Sequence, residues 1–204
     1  MQTIKLIVVD LDLGFNHHHF LLKNVSEKQK QKASSFKNEK DQIRSLLSSY
    51  LVNQLSNDEL LTNDMGKPYF ANGPFFNVSH SGKYVVMAVA QNEVGVDIEE
   101  CVEKDMSMLN RIFNEAEDKM LKEHADFYYL WCAKESLIKC MGSSIGHIKE
   151  IPSLPLNGLK TYKGKDYQCQ AFILDKHIVS ITREGPEEFT VQTLKVDKLP
   201  YAIK

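Results

Sequence analysis

Trp131-Cys132-Ala133-Lys134-Glu135-Ser136-Leu137-Ile138-Lys139 is the stretch on which the reading of this chain turns. From Tyr128 to Cys140 the pattern is helical, inside a broken helical region that begins near Asn114, and Gly142 is placed to stop it. Glu135 and Lys139 stand four residues apart and project from one face, with Lys134 immediately before Glu135. On a solvated surface such a pair contributes only about 0.3–0.5 kcal/mol. Here Leu130, Trp131, Leu137, Ile138 and Met141 cover much of the circumference, so little of the helix is left for water. Charges on a mostly apolar helix need partners.

Working back along the chain, Val94-Gly95-Val96-Asp97-Ile98-Glu99 reads as a strand. Alternation sends Val96 and Ile98 to one face and Asp97 and Glu99 to the other. Two carboxylates that close repel each other. Taken alone they suit an acidic strand end as well as a site, but hard oxygen donors in this pattern fit Mg²⁺ or Mn²⁺. Further back, Asn77-Val78-Ser79-His80-Ser81 offers hydroxyls, an imidazole and, in the loop-rich stretch from Thr62 to Ser81, backbone N–H groups. Those are the components of an anion site. A Ser-His nucleophile pair is a poorer reading, since adjacent side chains rarely face each other and no G-x-S-x-G elbow is present. The P-loop and dinucleotide fingerprints are also missing.

The rest of the chain reads as strands and helices in alternation. Ile4 to Leu11 forms a strand, and Ser26 to about Leu55 a long helix. That helix carries apolar residues at Phe36, Ile43, Leu46, Leu47, Tyr50, Leu51 and Leu55, and a basic face that includes Lys32 and Arg44. His17-His18-His19 reads as a polar turn, because three adjacent side chains diverge. Tyr84 to Ala90 and Glu93 to Ile98 are joined by Gln91-Asn92 in a hairpin-like way. Leu159–Tyr162, Tyr167–Leu174, His177–Thr182 and Phe189–Val196 are expected to form an antiparallel meander. Strands and helices thus occur in both halves, the pattern of a structural duplication.

Composition narrows the function classes. With 204 residues, 43% hydrophobic and 25% charged, the chain can bury a core and fold. A net charge of −2 and a pI near 6.4 argue against a dedicated nucleic-acid binder. No apolar run approaches the roughly 18 residues of a membrane span, and the N-terminus lacks a signal-peptide pattern, so a cytoplasmic location with no membrane partner is expected. The cysteines Cys101, Cys132, Cys140 and Cys169 form no C-x-x-C pair, and reduced thiols are expected.

In order and spacing, Gly66-Lys67-Pro68, Phe76 to Gly82, Gly95 to Glu99 and Trp131 to Lys139 resemble the successive motifs of the 4′-phosphopantetheinyl transferase superfamily, in its larger single-chain, surfactin-synthetase-activator type. Arg111-Ile112-Phe113-Asn114-Glu115-Ala116-Glu117 is similar to the segment that precedes the family's last helix. The resemblance implies an α+β fold of two similar halves related by a pseudo-twofold axis, residues 1–98 and 99–204, with the active site between them. It implies Mg²⁺, or Mn²⁺, held by Asp97, Glu99 and Glu135, and coenzyme A as co-substrate. It implies transfer of phosphopantetheine to a serine of an apo acyl or peptidyl carrier protein, in the manner of a holo-acyl-carrier-protein synthase, with release of 3′,5′-adenosine bisphosphate. Glu135, directly or through water, would take the serine proton, with Glu117 a second candidate; Lys139 and His80 would meet phosphate. Lys67, Pro68 and Ser79 would contact coenzyme A, and Arg44, with Lys32, its 3′-phosphate. Fatty-acid, polyketide, nonribosomal-peptide and lysine-pathway carriers are all left open, and a monomer is expected. Two competing readings are a non-catalytic binding module for coenzyme A or a carrier protein, and a metal-dependent phosphoesterase acting on water.

Overall fold

The computed structural model describes residues 1–103, 113–118, 121, 124–152 and 157–201. Strand β1 (Gln2–Asp10) is apolar on both faces, and its alternation builds two cores. Ile7 and Val9 meet the helical layer, whereas Ile4, Leu6 and Val8 meet a second sheet. Asp10 then caps α1 (Leu11–Asn16) by accepting from Asp12 N at 3.0 Å, so the strand ends one residue earlier than the sequence suggests. His17 separates α1 from α2 (His18–Lys23) and bonds back to Leu13 O; the histidine tract joins two short helices and is not a turn at a strand end.

The long helix expected from Ser26 to Leu55 is two helices, α3 (Glu27–Ser34) and α4 (Glu39–Asn53). Ser34 and Ser35 hydroxyls return to the carbonyls of Gln31 and Lys32, and Asn38 caps the next helix through Lys40 N, so local side-chain bonds end one helix and start another. Ile43, Leu46, Leu47, Tyr50 and Leu51 of α4 close the first core. The stretch from Thr62 to Ser81 is more ordered than its turn formers suggest. β2 (Leu60–Thr62) pairs with β3 (Pro68–Phe70), and β4 (Phe75–Ser81) carries Ser79 and His80 on a strand, not a loop.

Among the described residues two four-stranded sheets form beside the β2–β3 pair, and the fold is α+β. The first has the order β10-β1-β5-β4, with β5 spanning Tyr84–Ala90 and β10 Phe189–Val196. The second has the order β6-β9-β8-β7, with β6 Val94–Glu100, β7 Asn157–Tyr162, β8 Lys165–Leu174 and β9 His177–Glu184. Two expectations are corrected by this order. β5 and β6 do not pair with each other, because Gln91-Asn92-Glu93 carries the chain from one sheet to the other. Only β7, β8 and β9 form the meander; β10 crosses back and pairs parallel with β1. The buried faces of both sheets meet in one core, in which Val86 and Ala88 pack with Val96, Ile98, Val179 and Ile181. After the short α5 (Glu115–Asp118), helix α6 (His124–Met141) covers the outer face of the second sheet, with Ala133, Leu137 and Cys140 packed in one cluster with Cys169 of β8. Among the described residues no helix is long and apolar enough to cross a membrane.

Candidate active site

The site lies where α6 crosses β6, and Gly95 allows that crossing. A Cβ on Gly95 would stand 2.0 Å from Ser136 O and 2.3 Å from Cys140 N, both backbone atoms of α6. Only a residue without a side chain lets the helix lie this close to the strand. The helix ends at Gly142, whose φ of 61° is left-handed, with Ser143 N donating to Ile138 O and Gly142 N to Lys139 O. Lys67 supports the same end. Its ammonium lies 2.5 Å from Glu93 Oε2 and donates to Cys140 O at 2.9 Å and Val94 O at 3.3 Å. Beside it Lys67, Pro68, Asn77 and Lys139 help to line a cleft of about 200 Å³.

Held in this way, Lys139 Nζ lies 2.5 Å from Asp97 Oδ1 and 3.3 Å from Glu135 Oε2. Ser79 joins them from β4, donating to Asp97 Oδ1 at 2.9 Å and accepting from Lys139 at 3.1 Å. Asp97 is 2% exposed. Burial, reinforced by Asp97 and Glu99 and opposed by Lys139, pushes the Glu135 carboxyl up to about 7. Burial also works against the Lys139 charge, but Asp97 and Glu135 outweigh it and hold the ammonium above its ordinary value. The thiol of Cys132 is pushed well up by burial and by Asp97, and that of Cys140 to about 12 by burial, so neither is a thiolate nucleophile near neutral pH.

Asp97, Glu99 and Glu135 are hard oxygen donors, the type that suits a divalent cation. Among the described residues no three His, Cys, Asp or Glu side chains are gathered closely enough to hold a metal ion. Asp97 Oδ2 is buried without a hydrogen-bond partner, Asp97 and Glu135 share the ammonium of Lys139, and Glu99 is near enough to raise Glu135 further.

Alternation divides the β4 residues between two places. Ser79 faces β6, whereas His80 stands on the opposite face toward α4. The imidazole is open to solvent on one side, yet the protein around it is enough to desolvate it, and this together with Arg44 holds it below its ordinary value. Arg44 is tied to Asp41 at 2.7 Å and donates to Gly82 O at the β4–β5 turn. Lys32 is exposed on α3, whereas Arg44 is on α4.

Glu117 sits elsewhere. It is 0% exposed, accepts from Asn114 N, and meets Lys134 Nζ at 2.7 Å, while Lys134 also donates to Ile148 O. This buried pair was not anticipated by the sequence reading, although Lys134 on an apolar helix was its signal. Arg111 and Ile112 of the preceding motif lie outside the described residues.

Comparisons with known proteins show which family the sequence resembles. Residues 93–190 match the family model of the 4′-phosphopantetheinyl transferase superfamily. The chain is 33% identical over 159 residues to 4′-phosphopantetheinyl transferase gsp of Aneurinibacillus migulanus, covering 70% of this chain and 67% of that protein. It is 28% identical over 188 residues to 4′-phosphopantetheinyl transferase Sfp of Bacillus subtilis, covering 84% and 81%. With 4′-phosphopantetheinyl transferase AcpT of Salmonella typhi it shares 29% over 147 residues, covering 67% and 72%.

Proposed function

The chain belongs to the 4′-phosphopantetheinyl transferase superfamily, and from that premise we propose that it moves phosphopantetheine from coenzyme A to a serine of an acyl or peptidyl carrier protein, as a holo-acyl-carrier-protein synthase does. The observation that carries the reading is the cluster in which Asp97 and Glu135 share Lys139 beside Ser79. The carrier serine Oγ forms a bond to the β-phosphorus of coenzyme A, and the bond from that phosphorus to the bridging oxygen breaks. The leaving group is 3′,5′-adenosine bisphosphate. Glu135, 3.3 Å from Lys139 in the same cluster, suits acceptance of the serine proton, directly or through one water. Lys139 neutralises charge on the phosphate under attack. Asp97, Glu99 and Glu135 would hold Mg²⁺ or Mn²⁺, which supplies charge neutralisation for the pyrophosphate.

His80 and Arg44 on the opposite face of β4 suit phosphate contacts, Arg44 with the 3′-phosphate and Lys32 at its edge. In this reading Lys67 and Pro68 meet coenzyme A from the wall of the cleft. Glu117, paired with Lys134, is better suited to hold α6 than to take a proton. A monomer in the cytoplasm, with its catalytic cleft between residues 1–98 and 99–204, belongs to the same proposal. The test is incubation with coenzyme A, Mg²⁺ and a panel of apo-carriers from fatty-acid, polyketide and nonribosomal-peptide systems. Mass spectrometry should find one phosphopantetheine added to the carrier serine, absent with EDTA or with Glu135→Ala. Carriers left unmodified throughout would refute the proposal and favour a binding module.

A further inference from the structure

β4 reaches β6 with side chains in place of a backbone ladder, and three successive inward positions take part. Asn77 Oδ1 accepts from Val96 N at 3.0 Å, and Ser79 donates to Asp97. Ser81, one rung further, donates to Glu99 Oε2 at 2.9 Å and accepts from Glu100 N at 3.0 Å. A hydroxyl has one proton to give. In Ser81 that proton goes to Glu99 while the oxygen is anchored to the β6 backbone, so the carboxylate is held relative to its own strand. We propose that Ser81 is a positioning residue: it fixes Glu99 in the orientation from which Glu99 binds the divalent cation.

The inference rests on the reading of Asp97, Glu99 and Glu135 as the cation ligands. Groups that orient a ligating carboxylate typically contribute 10–100-fold to metal affinity. Ser81 also sits beside Gly82, so the turn that Arg44 holds and the strand that bears Glu99 are joined through one residue.

The test is Mn²⁺ binding to the full chain in the presence of coenzyme A without carrier, read as loss of the free-ion electron paramagnetic resonance signal. Ser81→Ala should bind Mn²⁺ about tenfold more weakly. Ser81→Cys, similar in size but a poor donor, should also weaken it, and Ser81→Thr should restore it. Coenzyme A affinity at saturating Mn²⁺ should not change. Wild-type affinity for Mn²⁺ in both the Ala and Cys variants would overturn the inference. So would a loss that Ser81→Thr fails to restore and that parallels a fall in thermal midpoint, since that marks a packing role. If the wild-type chain itself bound no Mn²⁺ with coenzyme A, the ligand assignment would fall and the inference with it.

Discussion

Glu135→Gln should make the metal-free protein more stable above neutral pH while abolishing its activity. In the folded chain the carboxyl is lifted from its ordinary 4.5 to about 7, chiefly by burial and then by Asp97. A raised carboxyl favours folding while it is protonated. That contribution is fully present below about 4.5 and is lost as pH rises through about 7. The gap, at about 1.4 kcal/mol per pH unit, sets roughly 3 kcal/mol as the ceiling for the strain of holding Glu135 ionised. The Glu135 side chain is 12% exposed, so solvent screening reduces this only modestly. Glutamine keeps the size and removes the charge, and Asp97 at 2.5 Å still partners Lys139. Urea unfolding in EDTA should therefore show Glu135→Gln about 1–3 kcal/mol more stable than wild type at pH 8 and nearly equal to it at pH 4.5. Mg²⁺ with coenzyme A should reverse the order, because ligands that bind the folded state stabilise it by mass action. A variant no more stable than wild type at pH 8 would refute the reasoning.

Gly95→Ala should force α6 off β6, since the new Cβ meets backbone at 2.0 Å; a loss of about 1–3 kcal/mol or more in chemical denaturation, with little transferase activity left, is expected. Removing one partner of the buried Glu117–Lys134 pair should cost about 3–5 kcal/mol, and Glu117→Leu with Lys134→Met should recover most of it, with activity returning in the double variant if Glu117 holds α6 and is not the base. Arg44→Ala should raise KM for coenzyme A several-fold but leave KM for its 3′-dephospho form almost unchanged, which steady-state kinetics would show.

What the sequence made legible was local. The strand Val94 to Glu99 and the helix bearing Glu135 and Lys139 carry their own periods, and their charges on apolar elements announce partners. Partners distant in sequence were harder. Nothing in Phe189–Val196 indicates that it pairs parallel with β1, because a register between strands 187 residues apart leaves no local mark. Hairpin geometry between Ala90 and Val94 was overridden by the core, which is served by two stacked sheets. Asn77, Ser79 and Ser81 did hold a signal: polar residues at every second position, with Phe76 before the first and Val78 after it. Their abundance as turn formers hid a strand whose polar face is turned to β6.

The most direct test of the central claim is the yield of 3′,5′-adenosine bisphosphate from coenzyme A, measured by chromatography with and without apo-carrier. The account predicts one bisphosphate released per phosphopantetheine gained by the carrier, and none when the carrier or the divalent cation is withheld. Release without carrier would identify a phosphoesterase that uses the same carboxylates on water, and no release with any apo-carrier would contradict the transferase assignment.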